Sequence, residues 1–451
     1  MEGSSDQLTV LEEVRAAAPN LNNEWGNVDN MLTSQRVKRL DGLVSEMNLS
    51  EAGMLELPAT VAQLKSLQKI WLTHNALRGL PDSLTALSGL HSLLAPDNVF
   101  KELPQVVTRL ESLQQLFFNL NPIRELPPGI GALTNLEWLD LSECQLGALP
   151  STIGALTRLH RLDLHSNKVS TLPSAISALA RLDHLSLHSN DMTLVPPEIG
   201  SCTALTWLSL NANKLRVLPP SIGALTAMVR LSLHINQLEH LPPEIGNLVH
   251  LEALSLHSNQ LPTVPPELGR LTECVRLSLY QNKLTSLPPE LGGMTALQEL
   301  WLYSNLLMSV PPELGRLCAL KRLWLDRNQL QTVPAELAQL SSLQEIYLDQ
   351  NPIKQAQLPP ELALLPALRK LYVSTPTAPA AAAPAATPQQ EFMRQQMAAA
   401  GAPNPQQDFM RQQMAAAAGA SNPQQELMRQ QQASNAAAAA AALMQASIPF
   451  K

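Results

Sequence analysis

Asparagine returns in this chain at Asn75, Asn98, Asn121, Asn167, Asn190, Asn213, Asn236, Asn259, Asn282, Asn305, Asn328 and Asn351, always 23 residues apart or at twice that step. The one vacant slot in the series holds Cys144. Around Asn328 the unit reads Leu320-x-x-Leu323-x-Leu325-x-x-Asn328-x-Leu330, followed by Val333-Pro334, Leu337 and Leu340, and the same frame fits from Val44 onward. A fixed period of this size means one small supersecondary unit copied many times. No single copy can bury its own apolar face, so neighbours must stack and share one continuous column of leucines.

Spacing inside the unit supplies the local structure. Leu323 and Leu325 alternate inward along a short strand, which turns Arg322, Trp324 and Asp326 to solvent. Strands side by side at about 4.8 Å, about 15 of them, would line an inner surface on the order of 70 Å long. The ladder asparagine points inward, where its amide must find backbone partners because buried polar groups are paired. Past it, a Leu-Pro or Val-Pro step ends the strand, and Pro243, Pro266, Pro289 and Pro312 preset the first turn of a short helical segment. Glutamates such as Glu244, Glu267, Glu290 and Glu313 follow directly. They form either an acidic stripe for a basic partner or a complement to the N-terminus of each turn. The expected fold is an α/β solenoid, a leucine-rich-repeat horseshoe with a parallel β-sheet on its concave face and short helical or 3-10 segments on its convex face.

The stretch from Leu218 to Leu231, with Leu218-Pro219, Ile222-Gly223 and Leu225-Thr226, resembles intracellular leucine-rich-repeat proteins of the Ras-group type. These include Ras-pathway scaffolds and their plant relatives, whose C-terminal Gly-Val-Tyr-Trp element is absent here. The resemblance implies a scaffold in small-GTPase-type signal transduction that holds a small GTPase or phosphatase against the concave face. Residues 1–40, with a helix expected over Asp6–Ala18 and the Trp25-Gly26-Asn27-Val28 element, are expected to cap the array, since an exposed sheet edge needs covering. The array itself spans 41–376 in about 14 to 15 units.

After Pro376 the composition turns to Ala, Gln, Pro and Met, which cannot build a packed core, so 377–451 is expected to be a disordered low-complexity tail. A template of Pro-Gln-Gln, an acid, Phe or Leu, then Met-Arg-Gln recurs there at Pro388, Pro405 and Pro423. It makes either three weak binding sites in series or a repeat expansion without a role.

A formal charge of −7 gives no basic face for nucleic acid. Glu2, Asp6, Glu12 and Glu13 rule against a secretory signal, and the longest apolar run, Ala436–Met444, is too short for membrane insertion. Cys144, Cys202, Cys274 and Cys318 are scattered without metal-ligand spacing, which suits a reducing, cytoplasmic setting and needs no cofactor. Ser and His recur in register, whereas catalysis needs one nucleophile oriented by one base, so no enzyme is expected.

The costly residues point to a binding face. Of ten Trp and Tyr residues, all but Trp25 fall on outward strand positions. Exposed aromatics of this kind are typical of interface hot spots. Six of them, Tyr280, Trp301, Tyr303, Trp324, Tyr347 and Tyr372, with Arg322 and Asp326 at their edge, form the primary protein-binding candidate. A secondary candidate comprises Arg161, His165, His188, Trp207, Arg230, His234, His257 and Arg276, beside a column of serines expected to leave a trough. Its histidine pairs admit a shared metal ion, a pH-sensitive contact or an ordinary polar surface. The leading function is a monomeric, non-catalytic protein–protein interaction scaffold; the alternative is a structural spacer or adaptor whose tail makes the functional contacts.

Overall fold

The computed structural model describes residues 2–373; the tail at 377–451 and its three short repeats lie outside the described residues. The chain opens with helix α1 (Glu2–Ala16), which buries Val10, Leu11 and Val14. Those residues lie on one face at helical spacing. The helix expected over Asp6–Ala18 thus starts earlier and ends two residues sooner, because Pro19 disfavours helical geometry in the residue before it. Helix α2 (Val28–Thr33) is capped by the Asn27 side chain, which accepts from the Asn30 amide at 2.8 Å, and Trp25 just before it is wholly buried.

Strands β1 (Val37–Leu40) and β2 (Leu43–Asn48) then form an antiparallel hairpin through Asp41 and Gly42, both at positive φ. That two-residue turn matches the twist of the strands it joins. The expected parallel sheet therefore begins at β2, not at the first strand; β1 runs the opposite way and shields the sheet edge. From β2 to the strand at Lys370–Tyr372 every pairing is parallel, and spatial order equals chain order through 16 strands. Equivalent positions of successive repeats consequently sit side by side, as in Trp301 opposite Trp324 and Trp324 opposite Tyr347.

Across the core from the sheet lie single turns of 3-10 helix such as Pro243–Asn247, Pro266–Arg270 and Pro289–Gly293, each with proline at its start and glutamate in its first turn. These turns stack so closely that a Cβ on Gly269 or Gly292 would collide with the backbone carbonyl of Glu290 or Glu313 in the next turn. Between sheet and turns the leucine positions, Leu323, Leu325, Leu330 and Leu337 among them, are fully buried.

The asparagines tie the units together. At Asn305, Nδ2 donates to the carbonyls of Leu279 in the preceding repeat and Leu302 in its own, at 3.0 and 2.9 Å. Its Oδ1 accepts from the Leu284 amide at 3.1 Å. The residue before each ladder asparagine takes a left-handed conformation to turn that amide inward, including the β-branched Ile235 at φ 54°. At the vacant slot Cys144 Sγ donates to a single carbonyl, that of Phe118, at 3.4 Å.

Candidate protein-binding face

Each three-residue strand and the second residue beyond it present outward side chains that line up across the sheet into three columns. The first column runs through Arg276, Glu299, Arg322, Glu345 and Lys370, and the second through Ser278, Trp301, Trp324, Tyr347 and Tyr372. The third, two positions further along each repeat, holds Tyr280, Tyr303, Asp326 and Asp349. Strand spacing brings rings of one column into stacking range. Trp301 and Trp324 have centroids 5.5 Å apart, Trp324 and Tyr347 5.6 Å, and Tyr347 and Tyr372 4.7 Å. Tyr280 stacks on Tyr303 at 4.2 Å. All eight residues of the primary candidate thus share one continuous surface. Mutual stacking leaves most of these rings half-buried, and only Tyr372, at the end of the stack, is 40% exposed.

Charge is distributed unevenly around those rings. In the first column Arg322 meets Glu299 at 3.1 Å and approaches Glu345 at 4.0 Å, while Lys370 meets Glu345 at 3.0 Å. That rim is neutralised from within. On the other side a depression opens, lined by Tyr303, Trp324, Asp326, Arg327, Tyr347 and Asp349. Burial raises the pKa of Asp326, and the neighbouring Asp349 adds to the shift.

The secondary candidate behaves differently. His165 stacks on His188 at 4.4 Å, and His234 on His257 at 4.3 Å, with rings 17° and 15° from parallel. Imidazole lone pairs lie in the ring plane, so face-to-face rings cannot aim both at one ion, and among the described residues no group of three or more His, Cys, Asp or Glu could hold a metal. Burial pushes His188 and His234 down to about 4 and, with His234 beside it, His257 down to about 2. The lowered values leave the rings neutral near pH 6.5, which favours, of the three readings open to these histidines, the ordinary polar surface over a contact that charges there. Nor do the serines leave an open trough throughout, since Ser186, Ser209 and Ser278 are buried under the flanking rings. Trp207 lies flat on His184 with centroids 3.8 Å apart. Arg230 and Arg276 are exposed, but Arg161 is held over the Trp138 ring at 4.5 Å and bonded to Asp163 at 3.1 Å.

Comparison with known proteins matches this architecture. A family model described as a leucine-rich repeat region matches residues 117–194 and 174–273, and a second leucine-rich-repeat model matches 295–353. A leucine-rich-repeat protein of Leptospira interrogans is 35% identical over 73% of this chain and 84% of its own, with a TM-score of 0.68. The chain is a leucine-rich-repeat protein. The plant peptide hormone receptor RGFR1, solved in complex with RGF2, is 28% identical over 71% of this leucine-rich-repeat chain and 57% of the receptor, with a TM-score of 0.59. The Arabidopsis receptor kinase HAESA, at 24% identity, 82% and 70% coverage and a TM-score of 0.64, shares the fold. No curated protein matches the sequence at a significant level. Among the described residues no helix of the leucine-rich-repeat protein is long and apolar enough to cross a membrane.

One cluster escaped the sequence reading. Asp140 and Asp163 sit opposite each other on adjacent strands in the second column, only 1% and 4% exposed. Burial and the Asp163 charge push Asp140 up to about 7. Asp163 stays below its ordinary value: burial acts to raise it, but His184 and Arg161 outweigh that. Its Oδ2 accepts from Trp138 Nε1 at 3.2 Å. The available signal was two aspartates in successive units at the register position that serine holds further along.

Proposed function

We propose that this leucine-rich-repeat protein is a non-catalytic recognition scaffold whose protein partner docks on the aromatic block from Tyr280 to Tyr372. The carrying observation is the continuous ring surface formed by Trp301, Trp324, Tyr347 and Tyr372 beside Tyr280 and Tyr303. Rings locked by their neighbours offer large apolar area with little entropy left to lose on binding. An apolar centre with mixed charge at its margin fits a protein interface better than a nucleic-acid groove, which is basic throughout. The complex of RGFR1 with RGF2 supports ligand recognition by a related array. The Ras-group resemblance makes the partner a signalling protein of the small-GTPase or phosphatase kind, met in the cytoplasm. Four unpaired cysteines agree with a reducing compartment.

The test is substitution of Trp301 and Trp324 together by alanine, with capture of partners from the native cell measured against the unmodified chain. Removing hot-spot tryptophans costs about 2 kcal/mol or more of binding, which weakens affinity roughly 30-fold. A variant that keeps its circular dichroism and captures every partner as before would remove this reading.

A further inference from the structure

Resting on the aromatic block as the docking face, we infer that the block's first occupant is the chain's own tail, through its Phe/Leu-Met-Arg triplets. The depression's two carboxylates, Asp326 and Asp349, share one guanidinium, Arg327, which lies within 4 Å of neither, so the depression keeps an excess of negative charge, whereas Glu299, Arg322, Glu345 and Lys370 of the first column are paired among themselves. Two aromatic walls, Trp324 and Tyr347, stand beside them. Such a place takes a cation flanked by apolar side chains, with a carboxylate nearby for Arg327.

The sequence beyond Val373 carries that combination three times. Glu391-Phe392-Met393-Arg394, Asp408-Phe409-Met410-Arg411 and Glu426-Leu427-Met428-Arg429 contain every charged residue after Val373 except Lys451. Lys451 aside, the rest of that stretch is neutral, so its ionic recognition is concentrated in three equivalent units.

The exit point also fits. The final strand, Lys370–Tyr372, lies two strands from Arg322–Trp324, a separation of about 10 Å. The 21 residues from Val373 to Arg394 can span at most roughly 70 Å. Even the nearest triplet therefore reaches the depression with chain to spare. A tethered segment meets its site at an effective concentration in the ~mM range. Weak contacts then suffice to cover the face, and a partner must displace the tail to bind.

Hydroxyl-radical footprinting of the full chain reads this residue by residue. In the native chain, oxidation of Trp324 and Tyr347 is expected to be several-fold slower than in a chain carrying R394E, R411E and R429E, or one carrying F392S, F409S and L427S. Trp71 and Trp207, remote from the depression, should oxidise equally in all three. Equal oxidation of Trp324 and Tyr347 in all three chains overturns the inference, as does a change that also reaches Trp71 and Trp207. Protection that disappears on dilution overturns it too, because the occupant is then the tail of a second copy. Loss of partner capture in the double-tryptophan variant with no tail protection would remove only this inference and leave the docking face in place.

Discussion

The third column of the concave face is one unbroken stack from His234 through His257 and Tyr280 to Tyr303, yet its two halves end in different surfaces. The difference lies one column over. Beside the histidines the second column carries serine, small enough for the rings to lie over it, and Ser278 Oγ meets His257 Nδ1 at 3.2 Å. The imidazoles there lose much of their water, and the depression on this face does not reach them. Beside Tyr303 the second column carries Trp301 and Trp324, which occupy that space themselves, and a depression opens toward Asp326 and Asp349. One backbone therefore makes a sealed surface or a receptive one according to side-chain size at a single repeat position. The sealed half is expected to matter for stability, the receptive half for binding.

The two halves rest on equivalent scaffolds. Asn259 under the histidines and Asn328 under the aromatics make the same bonds: each donates to two leucine carbonyls near 3.0 Å and accepts one amide of the preceding repeat. Replacing either with alanine leaves buried backbone groups unpaired, at a cost of about 1–3 kcal/mol. Denaturant unfolding of Asn259→Ala and Asn328→Ala should give similar losses. Clearly unequal losses would mean that the scaffold, not the side-chain columns, separates the halves.

Much of this was legible in the sequence, and the boundary is physical. A 23-residue period fixes the solenoid, and alternation along each strand fixes which side chains face outward, so the columns follow from register alone. What register cannot supply is how neighbouring columns lean on one another. Burial of Ser186, neutrality of His257 and the mutual neutralisation of Arg322, Glu345 and Lys370 all depend on side-chain packing between strands. The protonation of Asp140 is of the same kind, since it needs both the burial and the facing Asp163.

Acid should damage the sealed half first. His188 and His234 titrate at about 4 in the folded chain and His257 at about 2, against about 6.5 when unfolded. Between pH 6.5 and 4 the unfolded chain therefore binds protons that the folded chain refuses, and stability falls as pH falls. Asp140 acts in the opposite sense: its folded value near 7 lies above its ordinary 3.8, so it adds stability as pH drops through that interval. His165 and His184, also lowered by burial, add to the loss, while Asp326, raised by burial, joins Asp140 against it; five histidines against two aspartates leave a net loss. The Tm should fall between pH 7 and 5, and His234→Phe with His257→Phe, which keep rings in the stack without a titrating nitrogen, should flatten the decline. A Tm equal at both pH values in the unmodified chain would contradict the buried, neutral histidines.

The smallest expected effect isolates the ladder from either half. Cys144 stands where asparagine belongs, and its thiol donates to a single carbonyl, that of Phe118. The amide of Ile123, whose counterparts in other repeats donate to the ladder side chain, here divides itself between the Cys144 sulfur, a poor acceptor, and the Asn121 carbonyl at 2.8 Å. Cys144→Asn offers a better acceptor and a second donor hydrogen. A gain of one or two buried hydrogen bonds is worth about 0.5–1.5 kcal/mol each, offset by reshaping the turn at Ile123. Stability should therefore rise by less than the Asn259→Ala substitution removes. Partner capture by the aromatic block should stay unchanged, because position 144 lies many repeats from Trp301. If Cys144→Asn instead destabilises the chain, the turn at Ile123 is already the better solution for that repeat, and the ladder's worth must be judged repeat by repeat.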